Sequence, residues 1–404
     1  MKTLSIIIVS YNVKYYVEQC IRSVYRSEGI DLGSLELFVV DNLSKDGTVH
    51  YLRRRFPAKR HPDIHIIANK RNVGFGRANN QAVRRAKGKY ILFLNPDTML
   101  TEHTLHDALE EAESKEGTGG IGVRMLHTDG RFAPESRRGV PSPWAAFCKM
   151  SGLNSLFPHS RWFGRYYMQN ADKNLPAAVD IVSGAFMMVP AAALQQTGLF
   201  DEDFFMYGED IDLSFRLLKN GYQNRYVPTP ILHYKGESTH KNSFHYVHVF
   251  YEAMLIFFRK HYRHYSFVFS LPVKAAIVAS AIVTLITQQC RLLRRFLYPR
   301  SFHKRHRILY LGHETDDVQR IADEYGIDID CIDADATTLP QGHSAVTSKA
   351  AVTYEHVVYD TSCFSLTQVL DHFEQHNPQK NHIGTYWPEQ GVLLTPNKVY
   401  TLGQ

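Results

Sequence analysis

Six carboxylates stand within the stretch FDEDFFMYGEDID at positions 200–212: Asp201, Glu202, Asp203, Glu209, Asp210 and Asp212. Crowded beside Phe and Tyr, such groups raise one another's pKa and resist burial. They could cap a helix, bind a cation or remove a proton. Glu209, Asp210 and Asp212 fall in the first turn of EDIDLSFRLLKNG, which reads as a helix stopped at Asn220-Gly221. There the helix macrodipole stabilises each by ~0.3–1 kcal/mol. Capping accounts for Glu209 or Asp212 but not for the aromatic wall Phe204-Phe205-Met206-Tyr207 before them. A base that deprotonates a hydroxyl needs a partly shielded cleft of that kind, with its pKa tuned upward.

Smaller polar clusters recur at Ser10-Tyr11-Asn12, Asp41-Asn42, Asn69 to Asn72 and Asn95-Pro96-Asp97. Each ends a strand-like run: LSIIIVSYN, LELFVVDN, DIHIIAN and GKYILFLNPD. Near-continuous Ile/Val/Leu runs suit parallel strands covered on both faces. A helical stretch, VKYYVEQCIRSVYRS, follows the first run, and the alternation predicts an α/β domain. Ligands of open parallel sheets bind beyond the carboxyl ends of the strands, where these clusters stand. A carboxylate such as Asp41 can accept a pyrimidine N–H or a ribose hydroxyl there, or close an Asx-turn.

Residues 130–178 are rich in proline and carry Arg131, Arg137, Arg138, Lys149, Arg161 and Arg165. VDIVSGAFMMV then reads as a strand with a turn at Ser183-Gly184-Ala185. The run 266–290 is apolar but holds Pro272 and Lys274, and basic residues flank it on both sides. The longest stretch free of charge, amide and proline, Ala275–Thr287, is short of the roughly 20 residues of a spanning helix. A re-entrant or interfacial segment satisfies both flanks; a soluble helix pair is the alternative.

The net charge of +6 hides an asymmetry: residues 308–404 hold 14 acidic against 4 basic side chains, leaving 26 and 42 for the rest. A basic body suggests an anionic partner such as phosphate, nucleotide or lipid headgroup. The acidic part repeats the strand–helix pattern in RILYLG, IDIDCID and HVVYD, and reads as a separable, non-catalytic interaction module. Its single Gly312 is no dinucleotide fingerprint. Five scattered cysteines without a CxxC pair suggest reduced thiols. The short run Leu4–Val9 fits a buried first strand better than a secretion signal.

Taken in order, VSYN, VVDNLSKDGT, NVGFGRANN, LNPD, VSGAFMM, FDEDFFMYGEDIDLSFRLLKNGY and HYKGEST resemble the inverting glycosyltransferases of family 2, over roughly residues 1–240. Their spacing is most similar to bacterial rhamnosyltransferase-like enzymes of O-antigen or other surface polysaccharide assembly. The resemblance implies a GT-A domain at 1–245 and carries nothing beyond about residue 300; composition and charge mark a helical membrane-associating segment at 246–307 and the small α/β domain at 308–404. The resemblance implies a nucleoside-diphosphate sugar donor (dTDP, UDP or GDP) near Ser10, Tyr11, Asn12, Asp41, Asn72, Gly74, Asn79 and Asn95. It further implies Mg²⁺ or Mn²⁺ on Asp97 and His233, and Asp210 as the base. Ser183, Gly184, Glu209, Arg137 and Arg138 fall on the acceptor side. LNPD departs from the family's Asp-x-Asp, with Asn95 at the first acidic position, which leaves fewer charges on the metal. A lipid-linked saccharide acceptor, attachment to the cytoplasmic face of the inner membrane and a protein partner at 308–404 are expected, and nucleic acid is not. A polymerising synthase would show QxxRW, and only Arg161-Trp162 is present. A catalytically inactive scaffold that binds nucleotide sugar or membrane is the rival reading, and Asp97 with Asp210 counts against it.

Overall fold

The computed structural model describes residues 2–141, 172–234, 244–262, 289–290, 307–348, 350 and 352–403. The first half of the chain alternates β1 (Lys2–Ser10), α1 (Lys14–Tyr25), β2 (Leu35–Asp41), α2 (Thr48–Arg55), β3 (Ile64–Ala68), α3 (Phe75–Val83) and β4 (Gly88–Leu94). There follow β5 (Thr98–Leu100), α4 (Thr104–Ser114), β6 (Thr118–Leu126), β7 (Ala177–Ala178) and β8 (Phe186–Pro190). Then come α5 (Ala191–Thr197), α6 (Glu209–Lys219), β9 (Gln223–His233) and α7 (Phe244–His261). The strands form one sheet in the order β3-β2-β1-β4-β8-β6-β9-β5, with β7 beside β9.

Strand periodicity explains why both faces are covered. Leu4, Ile6 and Ile8 of β1 join Val17, Cys20, Ile21 and Val24 of α1 in one core, while Ile7 and Val9 join Ala78, Ala82, Leu213 and Leu217 of α3 and α6 in another. β3, β2, β1 and β4 are parallel, as their apolar runs require. The other half is mixed: β8 runs antiparallel to β4, and β9 antiparallel to β5. The whole is one mixed α/β sheet with helices on both faces.

A second, six-stranded sheet is built from β10 (Ile308–Leu311), α8 (Thr315–Tyr325), β11 (Ile329–Ile332), α9 (Ser344–Thr347), β12 (His356–Asp360) and α10 (Leu366–Gln375), then β13 (His382–Trp387), β14 (Val392–Leu394) and β15 (Val399–Thr401). Its order is β11-β10-β12-β13-β14-β15, parallel through β13 and antiparallel after it.

The two sheets are packed directly on each other. Val13, Tyr16, Met99, Leu126, Leu232 and Tyr234 share one apolar cluster with Leu366, Leu370, Phe373 and Trp387. Glu102, beyond β5, accepts the N–H groups of Leu366 (2.7 Å) and Thr367 (2.9 Å) and so caps α10 of the other sheet. Part of the charge contrast is used across this interface, where Arg124 and Lys173 meet Glu374 at 3.2 and 2.8 Å and Arg22 meets Glu389 at 2.9 Å. Apart from residues 289–290, the apolar run 266–290 lies outside the described residues, as do Arg161-Trp162 and the basic loop beyond residue 141. No helix among the described residues is long and apolar enough to cross a membrane.

Candidate active site

The donor-side residues gather at the carboxyl ends of β1 and β2 and at the start of α3. Asp41 ends β2 and is buried; its Oδ2 accepts the Ser44 N–H at 2.9 Å, the Asx-turn arrangement. Among the described residues its Oδ1 has no partner, and the same holds for Ser10 Oγ and Asn79 Oδ1, all three buried. Asn12 sits at φ 57° and receives the Lys45 N–H at 2.6 Å, folding the two loops together. Tyr11 beside it is half-buried. Asn72 Oδ1 accepts the Gly74 N–H at 3.0 Å. Gly74 has φ +86°, and an added Cβ would lie 2.7 Å from the Phe205 carbonyl, so only glycine fits. That carbonyl accepts the Phe75 N–H at 2.8 Å, which ties the aromatic wall to α3.

Asn95 and Asp97 follow β4, and His233 ends β9. Asp97 Oδ1 and His233 Nε2 face each other at 3.4 Å, with the Asn95 side-chain nitrogen 3.4 Å from the same ring nitrogen. Pairing of Thr98 with His233 across β5 and β9 sets this approach. Two atoms that ligate one divalent ion lie about 3 Å apart, so the carboxylate and imidazole fit a cation that completes its shell with diphosphate oxygens and water. Asn95 adds no charge.

The carboxylates at 201–212 divide their roles. Glu202 bonds Arg77 of α3 and Arg84 just past its end at 2.8 and 3.1 Å. Asp201 pairs with Lys260 of α7. Asp212 is fully buried between Arg216 (2.8 Å), Lys260 (2.9 Å) and His261 (2.7 Å). Burial opposes its ionisation, but those three partners prevail and hold its pKa at about 2. These three acids fasten elements together.

Glu209 and Asp210 open α6. Tyr207 (φ 68°) and Gly208 (φ 86°) are consecutive left-handed residues that turn the chain from the aromatic wall into the helix. Such a conformation costs a non-glycine residue on the order of 1–3 kcal/mol and clusters at functional sites. Asp210 Oδ2 accepts from Arg138 (2.5 Å) and from the Gly184 N–H (3.0 Å), and Oδ1 accepts from its neighbour Ile211 (2.8 Å). An added Cβ on Gly184 would lie 3.2 Å from the Asp210 Cβ, so the turn keeps no room to spare. Ser183 closes that turn by accepting the Phe186 N–H at 3.3 Å. The next residue, Ala185, accepts the Asn95 N–H at 3.0 Å, which connects the Asp210 side of the site to the Asp97 side. Glu209 is buried with Oε2 unpartnered, and burial followed by the Asp210 charge pushes its pKa up to about 8. Arg137 is instead buried over the rings of Phe132 and Tyr226 and donates to the Asp172 carbonyl at 2.7 Å, away from the groups around Asp210.

Residues 5–198 match the family model described as Glycosyl transferase family 2. The chain carries a glycosyl transferase family 2 domain. This glycosyltransferase is 26% identical over 248 residues to an N-acetylglucosaminyl-diphospho-decaprenol L-rhamnosyltransferase of Mycobacterium tuberculosis, covering 58% of this chain and 77% of that protein. It is 28% identical over 197 residues to rhamnosyltransferase WbbL of Escherichia coli, covering 47% and 66%. Among solved structures, a mannosyltransferase from Pyrobaculum calidifontis in complex with GDP-Man and Mn2+ aligns at 18% identity with a TM-score of 0.45, over 73% of this chain and 81% of that one.

One residue of the glycosyltransferase site escaped the sequence reading. Asn42 donates to Asn72 Oδ1 (2.9 Å) and the Gly74 carbonyl (3.3 Å), and accepts from Asn69 (3.2 Å) and the Val73 N–H (3.1 Å). It holds the donor loop to β2. Its signal was its place beside Asp41, opposite the asparagines at 69 and 72.

Proposed function

We propose that this glycosyltransferase performs inverting, non-processive transfer of a sugar, with rhamnose the leading candidate, from a nucleoside-diphosphate sugar to a hydroxyl of a lipid-linked saccharide in surface polysaccharide assembly. The observation that carries it is the set of buried, unpartnered atoms Ser10 Oγ, Asp41 Oδ1 and Asn79 Oδ1. Buried polar atoms are nearly always satisfied, so three such atoms, at the paired ends of β1 and β2 and in α3, call for a hydrogen-bonding ligand. A nucleoside offers the matching donors and acceptors.

Asp210 then acts as general base. It takes the proton of the acceptor hydroxyl while that oxygen bonds the anomeric carbon and the bond to the diphosphate oxygen breaks, in line and with inversion. Arg138 and the Gly184 N–H fix the carboxylate's direction. Glu209, kept protonated at neutral pH, adds no second negative charge beside it. Asp97 and His233 would hold Mg²⁺ or Mn²⁺, which when bound offsets charge on the departing diphosphate. The rhamnosyl donor and lipid-linked acceptor are suggested by the relative named for N-acetylglucosaminyl-diphospho-decaprenol. Attachment to the cytoplasmic membrane face through residues 246–307 belongs to the same reading.

The donor is tested by thermal shift with dTDP-, UDP- and GDP-sugars, because a ligand that binds only the folded state raises its melting temperature. One nucleotide class should stabilise the protein, and Asp41→Ala should abolish the shift. No shift from any of them would overturn the donor assignment.

A further inference from the structure

The second sheet reaches the back of the proposed metal site through a buried polar relay. Thr385 of β13 is fully buried, and its Oγ1 donates to Gln19 Oε1 of α1 at 2.9 Å. Gln19 Nε2 donates to the Tyr234 hydroxyl at 3.2 Å, and the Tyr234 N–H donates to the Asp97 carbonyl at 3.0 Å. The ring of Tyr234 meets Tyr16 edge-on at 5.3 Å, and the Tyr16 hydroxyl bonds the Thr395 carbonyl at 2.8 Å. Tyr234 directly follows His233. The strand pair that presents Asp97 and His233 is therefore held from behind by groups of the other sheet.

Around the relay the interface is apolar, formed by Met99, Leu232, Leu366, Phe373 and Trp387. An amide buried there must be matched by hydrogen bonds, and apolar groups of the same shape would serve stability about as well. What the satisfied relay adds is direction: it fixes one register of Tyr234, and hence of Asp97 and His233, against the sheet behind.

We propose that Gln19 and Thr385 are positioning residues for the Asp97–His233 pair, and that the second sheet is in this way a working part of the transferase site. The proposal rests on the metal reading above. Groups that orient metal ligands from behind typically cost 10–100-fold in metal affinity or activity when lost.

The test is Mn²⁺ binding, followed by electron paramagnetic resonance with inorganic diphosphate present, in the full chain and in Thr385→Val, Thr385→Ser and Gln19→Leu. Melting temperatures are read alongside. Thr385→Val and Gln19→Leu should weaken Mn²⁺ binding by about tenfold or more. Thr385→Ser, which keeps the hydroxyl, should bind like the unaltered chain. Equal Mn²⁺ affinity in the unaltered chain and in whichever of the Val and Leu variants folds would overturn the positioning role while leaving the metal reading intact. Absence of Mn²⁺ binding in the unaltered chain would overturn both. Binding that tracks the fall in melting temperature, with Thr385→Ser as impaired as Thr385→Val, would reduce the relay to packing and overturn the proposal.

Discussion

At the scale of single residues, the site contrasts two adjacent carboxylates by their partners. Asp210 is held by Arg138 and a backbone N–H, whereas Glu209 is buried with one oxygen unmatched. The Glu209 pKa rises from an ordinary 4.5 to about 8 on folding, so the folded protein binds more protons than the unfolded chain between those values. Stability contributed by this group is therefore intact below about pH 4.5 and is lost as pH rises toward 8. Glu209→Gln should raise the melting temperature at pH 8 and change it little at pH 5. A uniform shift at both pH values would show that Glu209 does not titrate in this range. The ED pair was legible in the sequence because its carboxylates follow an aromatic wall. Its partner Arg138, 72 residues earlier, was legible only through the family resemblance, since no local spacing links the two.

Elements come next, and here α6 and α7 are joined by one carboxylate and by the packing of Phe215 on Phe257 and His261. Asp212 meets Lys260 and His261 of α7 and Arg216 of its own helix, while Phe204 packs with Ala253, Phe257 and Phe258 above the aromatic wall. Replacing Asp212 by Asn removes the counter-charge of Arg216 and one of the two carboxylates that face Lys260. Breaking a buried pair costs about 3–5 kcal/mol, and the partial exposure of Lys260 moves the expectation to about 2–3 kcal/mol. Chemical denaturation of Asp212→Asn should show a loss of that order; a loss under about 0.5 kcal/mol, the range of ordinary surface substitutions, would mean that α7 is held by its aromatic packing alone. The parallel strands β1 to β4 were readable because each is a near-continuous apolar run. β6 and β9 were not: TGGIGVRML is diluted by glycine, and QNRYVPTPILH carries Pro228 and Pro230, features that argue against a strand until its neighbours are known.

For the whole molecule, the charge reversal at residue 308 marked where a second sheet begins but could not reveal what lies beneath it. Its basic and acidic partners, Arg124, Lys173 and Glu374, are far apart in sequence, and its apolar contacts join residues such as Met99 and Phe373. A chain ending at Arg307 would leave Val13, Tyr16, Met99, Leu126 and Tyr234 uncovered. Such a chain should melt at least several degrees lower, aggregate more readily and lose its response to Mn²⁺. Unchanged melting with full transfer to a soluble acceptor analogue would make the second sheet dispensable, as its composition alone had suggested.

The central claim, that Asp210 removes the acceptor's proton in a metal-assisted transfer, is tested most directly by the turnover number of Asp210→Asn with the donor identified by thermal shift. Asparagine keeps the shape and an acceptor oxygen for Arg138 but cannot take the proton. A general base typically contributes about 10²–10⁴-fold in rate, so turnover should fall by that order in protein that stays folded and binds donor with nearly unchanged affinity, while loss of the Arg138 ion pair lowers the melting temperature. Normal turnover in Asp210→Asn, or loss of donor affinity together with turnover, would contradict it and leave Asp210 a helix-start residue paired with Arg138.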